Sequence, residues 1–305
     1  MKQTKTPIAV LKHDAERMLE DIGQKIVEWD PRPLWTSGKT LVLGATTAEG
    51  TIVVQKKNMS KERLAKRVAV LAEAKSALEC FTDVSVPSVL AHDLDRRIVI
   101  MSRAPGVTVT QFLVAKSKTT KAYPDCLWVF EASARALAIF HCSMPSDSSR
   151  NVRLHLDFGP QNLLVDERNR CLTLIDLPDK RSYGKPEQDL GPANLEWLRL
   201  GLRRPTPSFL RALSRGRRLF LAQYGIERRG APINFRSAHE EERRRLAQLF
   251  SVATSLLRLK YGWRRAFKSL AIVPALVVLR LILVPLQQRI ESDSLLFGSK
   301  TPGVP

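Results

Sequence analysis

The sequence predicts a bilobal α+β fold, with a small N-terminal lobe made of an antiparallel sheet and one helix, and a larger, mostly helical C-terminal lobe. Two observations support this prediction. Residues 40–57 alternate in character and are rich in Val, Ile and Thr, as strands are. Beyond Gly106 the apolar residues recur mostly at helical spacing. With 305 residues and 44% apolar content, the chain can form two moderate cores, which we expect at 1–103 and 104–260.

The N-terminal elements are expected in the order strand, strand, helix, strand, strand. Residues 40–57 predict two strands joined by a turn at 45–50. Ser60 is a suitable N-cap for the helix that follows. The expected apolar face of this helix consists of Leu64, Val68, Leu71 and Leu78. Residues 86–109 predict two further strands around an Asp-rich turn, followed by a connection at 102–106.

The C-terminal lobe is predicted from helical periodicity that one hairpin interrupts. The clearest amphipathic helix is VFEASARALAIFHCSM at 129–144. The segment LLVDERNRCLTLID at 163–176 predicts a β-hairpin around a charged turn at 166–170. Residues 189–224 and 240–260 predict further helices.

The chain is strongly basic, with a net charge of +19. Lys and Arg far outnumber Glu between Arg199 and Lys268, and no Asp occurs there. Such charge indicates an acidic membrane surface, a phosphorylated substrate or nucleic acid as partner, or else a solvated basic helical surface. Because no zinc finger or aromatic RNA-binding signature accompanies the charge, we expect no nucleic acid partner.

The cysteines indicate a reducing compartment. Cys80, Cys126, Cys142 and Cys171 are spaced by 46, 16 and 29 residues, which matches neither a CxxC pair nor a zinc site. The N-terminal apolar run at 8–11 is too short for the core of a signal peptide. We therefore expect a cytoplasmic protein with free thiols.

The most hydrophobic stretch lies at 271–286 and contains Arg280. It is shorter than the roughly 20 apolar residues that a spanning helix needs. Aromatic and basic residues between Tyr261 and Lys268 precede it, as expected of a helix in a membrane interface. The alternative is a core helix of the second lobe whose Arg280 reaches the surface. Under the first interpretation, segment 261–305 would hold the protein at the inner face of the membrane.

His155, Asp157 and Asn162 have the H-x-D-x-x-x-x-N spacing of a kinase catalytic loop. The predicted hairpin begins directly after Asn162 and ends at Asp176, so it returns a second carboxylate beside the loop. Phosphoryl transfer from ATP needs Mg²⁺ on the phosphates and a group that positions and deprotonates the attacking hydroxyl. Asp157 is the candidate base, supported by His155, which we expect to brace the loop. Asn162 and Asp176 offer the hard oxygen ligands that Mg²⁺ prefers.

The strand that ends at 57 carries two lysines, comparable with the V-A-I-K strand whose Lys holds the ATP phosphates. Because side chains alternate along a strand, choosing Lys56 puts Val54 on the same face, over an adenine, whereas choosing Lys57 puts Gln55 there. We predict Lys56 as the phosphate lysine and Glu73 as the helical carboxylate that orients it.

The turn GATTAEG at 44–50 lacks the G-x-G-x-x-G pattern of a phosphate-covering loop. Any grip on phosphate there must come from backbone N–H groups and the hydroxyl of Thr46 or Thr47. Met101, at the end of a predicted strand, is a further candidate for nucleotide contact.

Together these segments resemble the aminoglycoside phosphotransferase and choline kinase group of the protein-kinase-like fold, over about residues 40–225. The resembling segments are VVQK ending at Lys56, VPSVL at 86–90, MSRAPGVTV at 101–109, ALAIFH at 136–141, HLDFGPQNLLVD at 155–166, LTLID at 172–176 and DLGPANL at 189–195. The resemblance implies ATP and Mg²⁺ as cofactors, Asp157 as catalytic base, Asn162 and Asp176 as magnesium ligands, and Lys56 as the phosphate lysine. It also implies that Asp189 is a structural carboxylate that holds the catalytic loop.

Two features narrow the expected substrate. Asp189 follows Asp176 by only thirteen residues, where a protein kinase has a long activation segment and an A-P-E motif. A hydroxyl of a small molecule, sugar or glycolipid is therefore the expected acceptor. The Asp176-Leu-Pro178 form and the basic second lobe also resemble lipopolysaccharide-core sugar kinases, whose acceptors are anionic. The alternative hypothesis is a catalytically silent kinase-like protein that binds a membrane or partner through its basic lobe.

Overall fold

A computed structural model of the protein describes residues 8–37, 40–117, 126–143, 151–178, 182–203, 206–227, 237–238, 240–244 and 247. The described residues form two compact units. The first contains residues up to Val107 together with 139–156 and 162–184, and the second contains 108–138, 157–161 and the described residues from Lys185 onward. Contacts therefore do not follow a single cut at residue 103. The predicted interfacial segment 261–305 lies outside the described residues.

The first unit is built on a six-stranded antiparallel sheet. Its strands are β1 Ile26–Trp29, β2 Trp35–Thr36, β3 Thr40–Thr47, β4 Gly50–Lys57, β6 Val89–Asp93 and β7 Ile98–Ser102. The order is β1-β3-β4-β7-β6, and β2 pairs with β3 beside β1. The predicted hairpins β3–β4 and β6–β7 are confirmed.

Two helices belong to this sheet region, one more than the sequence predicted. Helix α1, Ile8–Glu20, buries Leu11, Ala15 and Leu19 against the sheet, and its other residues are partly or fully exposed. Helix α2, Lys61–Leu78, begins after Ser60, whose hydroxyl accepts a hydrogen bond from the Arg63 backbone N–H at 3.3 Å. The buried residues of α2 are Leu64, Arg67, Val70, Leu71, Ala74 and Leu78, so Arg67 and Val70 are enclosed where the sequence pattern had placed Val68.

A second, four-stranded sheet contains the predicted hairpin. Its strands are β5 Val84–Ser85, β8 Val107–Thr108, β10 Leu163–Asp166 and β11 Cys171–Leu174, in the order β5-β11-β10-β8. Strands β10 and β11 pair in the register Leu163 to Leu174, which confirms the hairpin. Gly106 has φ 93 and lies so close to the Val165 carbonyl that a Cβ would sit 1.9 Å from its oxygen. Strand β9, Val152–Arg153, pairs with β12, Tyr183–Gly184.

The second unit is helical, as predicted. It contains α3 Val109–Lys116, α5 Glu187–Arg203 and α6 Pro207–Glu227. Helix α4, Trp128–Ser143, belongs to this unit as far as Ala138. Its core is aromatic: the Trp197 ring lies 4.5 Å from the Phe130 ring and 6.1 Å from the Phe220 ring, measured between centroids. No helix in the described part of the chain combines the length and apolar character needed to cross a membrane. The α+β class, with a sheet in the N-terminal part and helices in the C-terminal part, is confirmed.

Candidate active site

The β10–β11 hairpin brings Asn162 and Asp176 to the same end of one sheet. Asn162 directly precedes β10, and its carbonyl accepts a hydrogen bond from the Ile175 backbone N–H at 2.9 Å. Asp176 is the residue after Ile175 and lies just beyond the end of the returning strand β11. Asn162 is 9% exposed, whereas the side chain of Asp176 is 53% exposed. Asn162 and Asp176 therefore lie at the same end of the hairpin, and the carboxylate faces solvent.

The lysine beside Asp176 is Lys57, not the predicted Lys56. Its ammonium nitrogen lies 3.6 Å from Asp176 Oδ1, and its side chain is 9% exposed. Along β4, Ile52 and Val54 are buried in the core that α1 covers. Because side chains alternate along a strand, Lys56 shares that covered face and Lys57 lies on the opposite one. The structure therefore brings Lys57, and not Lys56, to Asp176, and which lysine binds phosphate stays a prediction.

Glu73, the predicted partner of the lysine, forms an ion pair with Arg153. Its Oε2 atom lies 2.8 Å from Arg153 Nη1, and Arg153 is fully buried in β9. Arg153 precedes His155 by two residues. Glu73 therefore links α2 to the strand that leads into the HxD loop.

The residue of α2 that reaches Asp176 is Arg67, which sequence reasoning missed. Arg67 Nη2 lies 2.5 Å from Asp176 Oδ1, and Nη1 donates to the Leu177 carbonyl at 3.1 Å. A signal was present in the sequence, because Arg67 stands three residues after Leu64 and four before Leu71, inside the apolar face of the helix. A charged residue at such a position needs a buried partner.

Burial and the neighbouring charges shift the pKa of Asp176 and the pKa of Lys57. Burial alone would raise the pKa of Asp176, but the charges of Arg67 and Lys57 outweigh it and hold the pKa below its ordinary value. Burial, and after it the charge of Arg67, lowers the pKa of Lys57 to about 8. An ionised carboxylate thus lies beside two cations, and the excess positive charge suits a phosphate group.

The HxD loop is strained and partly buried. His155 is 1% exposed, and its ring packs edge-on against Phe140 at 5.7 Å between centroids, which suits a bracing role. Leu156 has φ 64, a left-handed conformation that a non-glycine residue adopts at a cost of about 1–2 kcal/mol. Asp157, in the second unit, has an exposed side chain. Asp189 is buried in the first turn of α5, also in the second unit.

The other predicted nucleotide contacts lie on the sheet of the first unit. Thr47 closes the β3–β4 turn: its hydroxyl donates to the Gly50 carbonyl at 3.1 Å and accepts from the Glu49 backbone N–H at 3.2 Å. Thr46 is partly buried on the same strand. Met101 is buried on β7, opposite Val53 of β4. Their contact with a nucleotide stays a prediction.

The side-chain oxygens of Asn162 and Asp176 are the kind of ligand that Mg²⁺ prefers. Within the described residues, no three His, Cys, Asp or Glu side chains gather as a metal site. Mg²⁺ in phosphoryl-transfer enzymes is held by one or two protein oxygens plus substrate phosphates and water, rather than by a protein cage. The Asn162 amide and the half-exposed Asp176 carboxylate provide two such oxygens, and Lys57 provides a neighbouring cation for phosphate.

Comparison with known proteins places this geometry in context. Residues 111–229 match the model of the phosphotransferase enzyme family. No curated protein shows significant similarity to the sequence. Among solved structures, a Ralstonia eutropha JMP134 protein assigned as an aminoglycoside phosphotransferase aligns with a TM-score of 0.62 at 13% identity, covering 89% of this chain and 96% of that chain. The macrolide 2'-phosphotransferase of Brachybacterium faecium gives 0.54 at 13%, covering 84% and 97%.

A glucosamine kinase in complex with glucosamine, ADP and inorganic phosphate also aligns, with a TM-score of 0.56 at 13% identity, covering 96% of this chain and 89% of that chain. At such identities the structural matches establish the fold. The predicted resemblance is confirmed: the chain has the protein-kinase-like fold of the aminoglycoside and macrolide phosphotransferases, and its residues 111–229 match the phosphotransferase enzyme family.

Proposed function

We propose that the protein is an ATP- and Mg²⁺-dependent phosphotransferase that moves the γ-phosphate to a hydroxyl group of a non-protein acceptor. One observation carries the proposal. Lys57, Asn162 and Asp176 lie together at the end of a hairpin that directly follows an H-x-D-x-x-x-x-N loop. The match of residues 111–229 to the phosphotransferase family supports it.

Each residue has a role in this proposal. Lys57 binds the phosphates of the nucleotide, in place of the predicted Lys56, and Asn162 and Asp176 would hold the metal. Bound Mg²⁺ would neutralise charge on the transferred phosphoryl group. Asp157 positions the acceptor hydroxyl and accepts its proton, and the hydroxyl oxygen attacks the γ-phosphorus while the bond from that phosphorus to the β,γ-bridging oxygen breaks and ADP leaves. His155 and Asp189 hold the loop in shape.

The acceptor is proposed to be an anionic small molecule, sugar or glycolipid. Asp189 follows Asp176 by only thirteen positions, which leaves little chain for a platform that binds a peptide. A net charge of +19 favours an acidic acceptor and would let the protein work, from the cytoplasm, at an anionic membrane surface. The structural neighbours act on aminoglycosides, macrolides and glucosamine, so this acceptor preference rests on the charge.

The test is a mass-spectrometric screen for Mg-ATP-dependent addition of phosphate across sugars, aminoglycosides, amino alcohols and lipid-linked glycans. With the acceptor found, Asp157→Asn should lower the transfer rate by about 10²- to 10⁴-fold, because the hydroxyl loses its general base, while ADP affinity is retained. Asp166→Asn is the matched control, since Asp166 lies in the exposed hairpin turn, where it accepts hydrogen bonds from Asn169. Equal rates for wild type and Asp157→Asn would refute the assignment.

The alternative is a silent kinase-like protein, and a thermal-shift assay distinguishes the two. The enzyme should gain stability from millimolar Mg-ATP in proportion to its affinity. Absence of stabilisation, together with binding to anionic liposomes at low salt, would favour the silent membrane-binding protein.

A further inference from the structure

We propose that Arg67 is a positioning residue that holds Asp176 in the conformation in which it binds the metal. The inference rests on the proposed function, because it assigns a role to a residue beside the proposed magnesium ligand. It goes beyond that function by giving α2 a direct connection to the metal carboxylate.

The first observation is that Arg67 bonds to two consecutive residues. Its Nη2 atom contacts the Asp176 carboxylate at 2.5 Å, and its Nη1 atom donates to the Leu177 carbonyl at 3.1 Å. The guanidinium group is planar, so its two terminal nitrogens keep a fixed separation. Binding a side chain and the next peptide group at once therefore fixes both the carboxylate and the backbone that carries it.

The second observation is that the backbone at this point is strained. Asp176 has φ 57, in the left-handed region, where a non-glycine residue costs about 1–2 kcal/mol. The next residues, Leu177 and Pro178, supply no glycine, and the proline restricts Leu177 to extended conformations. A strained conformation persists only where surrounding contacts stabilise it. Arg67 bonds to this residue and to the one that follows it.

The third observation is the contrast in exposure between the two partners. Arg67 is 8% exposed on the buried face of α2, whereas the side chain of Asp176 is 53% exposed. Both Arg67 and Lys57 contact the same oxygen, Oδ1. Asp176 Oδ2 makes no hydrogen bond or ion pair with any residue in the described ranges. The arginine thus anchors one oxygen of a carboxylate that still faces solvent.

The consequence is a two-part effect of removing the guanidinium group. Without Arg67, Asp176 can relax from its left-handed conformation and leave the metal-binding position. Outer residues that orient a metal ligand typically contribute 10- to 100-fold to metal affinity. The gain in nucleotide affinity that Mg²⁺ provides should fall by that factor, whereas the nucleotide affinity in the absence of metal should not change.

The experiment is calorimetric titration of the full chain with ADP, in MgCl₂ and in EDTA. We expect Arg67→Gln to reduce the Mg²⁺-dependent gain in affinity by about 10- to 100-fold and to leave the affinity in EDTA unchanged. Lys66→Gln is the matched control, because Lys66 is an exposed cation next to Arg67 on the same helix and its loss changes the net charge equally. In an Asp176→Asn background, Arg67→Gln should have no further effect.

Other outcomes overturn the inference. If affinity in EDTA falls as much as affinity in Mg²⁺, Arg67 contacts the phosphates directly and is not a positioning residue. If Arg67→Gln binds Mg-ADP as the wild type does, the residue is only structural. Should Arg67→Gln fail to fold, Arg67→Lys preserves the charge without the planar fork, and full wild-type metal dependence in that variant refutes the two-point role. If the wild type binds ADP no better with Mg²⁺, the proposed function itself fails.

Discussion

Two buried arginines, one in each unit, show how the same pairing can serve different purposes. In the second unit Arg217 is 1% exposed, and its Nε donates to Asn194 Oδ1 at 2.7 Å. Its carboxylate partner, Glu242, is fully enclosed, at 3.8 Å from Arg217 Nη2. In the first unit Arg67 is buried as well, but its partner Asp176 has a half-exposed side chain. The exposure of the carboxylate, not of the arginine, separates the two cases.

The difference follows from electrostatics. An enclosed carboxylate has no solvent and depends on its partners for compensation, so it contributes to stability only while every partner is present. Glu242 satisfies this condition through Arg217 and through Asn194 Nδ2, which donates to its Oε2 at 3.2 Å. A half-exposed carboxylate retains water on one side and can exchange that water for a metal ion. The second unit thus encloses its pair, and the first leaves the carboxylate of its pair open to solvent.

The largest effect is expected when the enclosed pair is broken. Glu242→Ala should reduce the free energy of unfolding by about 3–5 kcal/mol, because Arg217 is left buried without its counter-charge. Asp176→Ala should cost less, since water can enter the half-exposed site of the lost carboxylate and solvate the Arg67 guanidinium, which also keeps its hydrogen bond to the Leu177 carbonyl. Urea unfolding of both variants measures the difference.

Glu241→Ala is the control for this comparison. Glu241 is the neighbour of Glu242, and its ion pair is with Arg244, whose side chain is 67% exposed. Such a surface pair contributes at most about 1 kcal/mol. If Glu242→Ala is no more harmful than Glu241→Ala, the enclosed network is not a stability element and the contrast with Arg67 disappears.

The next effect concerns pH and the lysine that lies beside the arginine–carboxylate pair of the first unit. Protonated Lys57 is the form that binds phosphate, and burial followed by the Arg67 charge lowers its pKa to about 8. Metal-free ADP affinity should therefore fall as the pH rises through about 8, by up to about tenfold per pH unit. Lys57→Arg should remove the dependence, since a guanidinium stays charged. A flat profile in the wild type would contradict the role of Lys57.

Stability should move in the opposite direction. The pKa of Lys57 in the unfolded chain is near the ordinary value of 10.5, above the folded value of about 8. Between these values the unfolded state binds more protons, so the contribution of Lys57 to the free energy of unfolding rises with pH in that window. Comparing wild type with Lys57→Met by urea unfolding at pH 7.5 and 10, roughly either side of the folded pKa, isolates this contribution.

The sequence was sufficient to predict features that depend only on residues close together in the chain. The ends of a short hairpin must meet, so the approach of Asn162 to Asp176 could be predicted from two apolar runs and a charged turn. The helix start at Ser60 could be predicted from capping chemistry. Both depend on residues that are close in sequence.

Long-range packing decided what the sequence could not. The alternation of side chains along β4 showed that Lys56 and Val54 share one face of the sheet. It did not show which face a helix covers. The covering helix is α1, whose buried Leu11, Ala15 and Leu19 recur every four residues, a helical spacing that the sequence prediction missed. Arg67 was missed for a related reason, because its partner Asp176 lies 109 residues away. Local patterns identify a residue that needs a partner and do not name the partner.

Backbone strain provides the last contrast between the units. All four non-glycine residues with positive φ in the described ranges belong to the first unit. Arg97 and Arg170 lie in turns of hairpins, whereas Leu156 and Asp176 flank the hairpin that carries the proposed metal site. Strain that clusters at a site is a common property of functional sites.

The smallest predicted effect tests whether this strain is relieved by glycine. Leu156→Gly removes a cost of about 1–2 kcal/mol but adds about 0.5–1 kcal/mol of chain entropy to the unfolded state, so we expect a net gain of about 0.5 kcal/mol in urea unfolding. Arg170→Gly, with φ 50 in the exposed turn of the hairpin, is the matched control and should gain a similar amount. Mg-ADP affinity should stay near the wild-type value in both, because neither side chain is assigned a role in binding the nucleotide or the metal. A loss of stability confined to Leu156→Gly would mean that the leucine side chain contributes packing that exceeds its backbone strain.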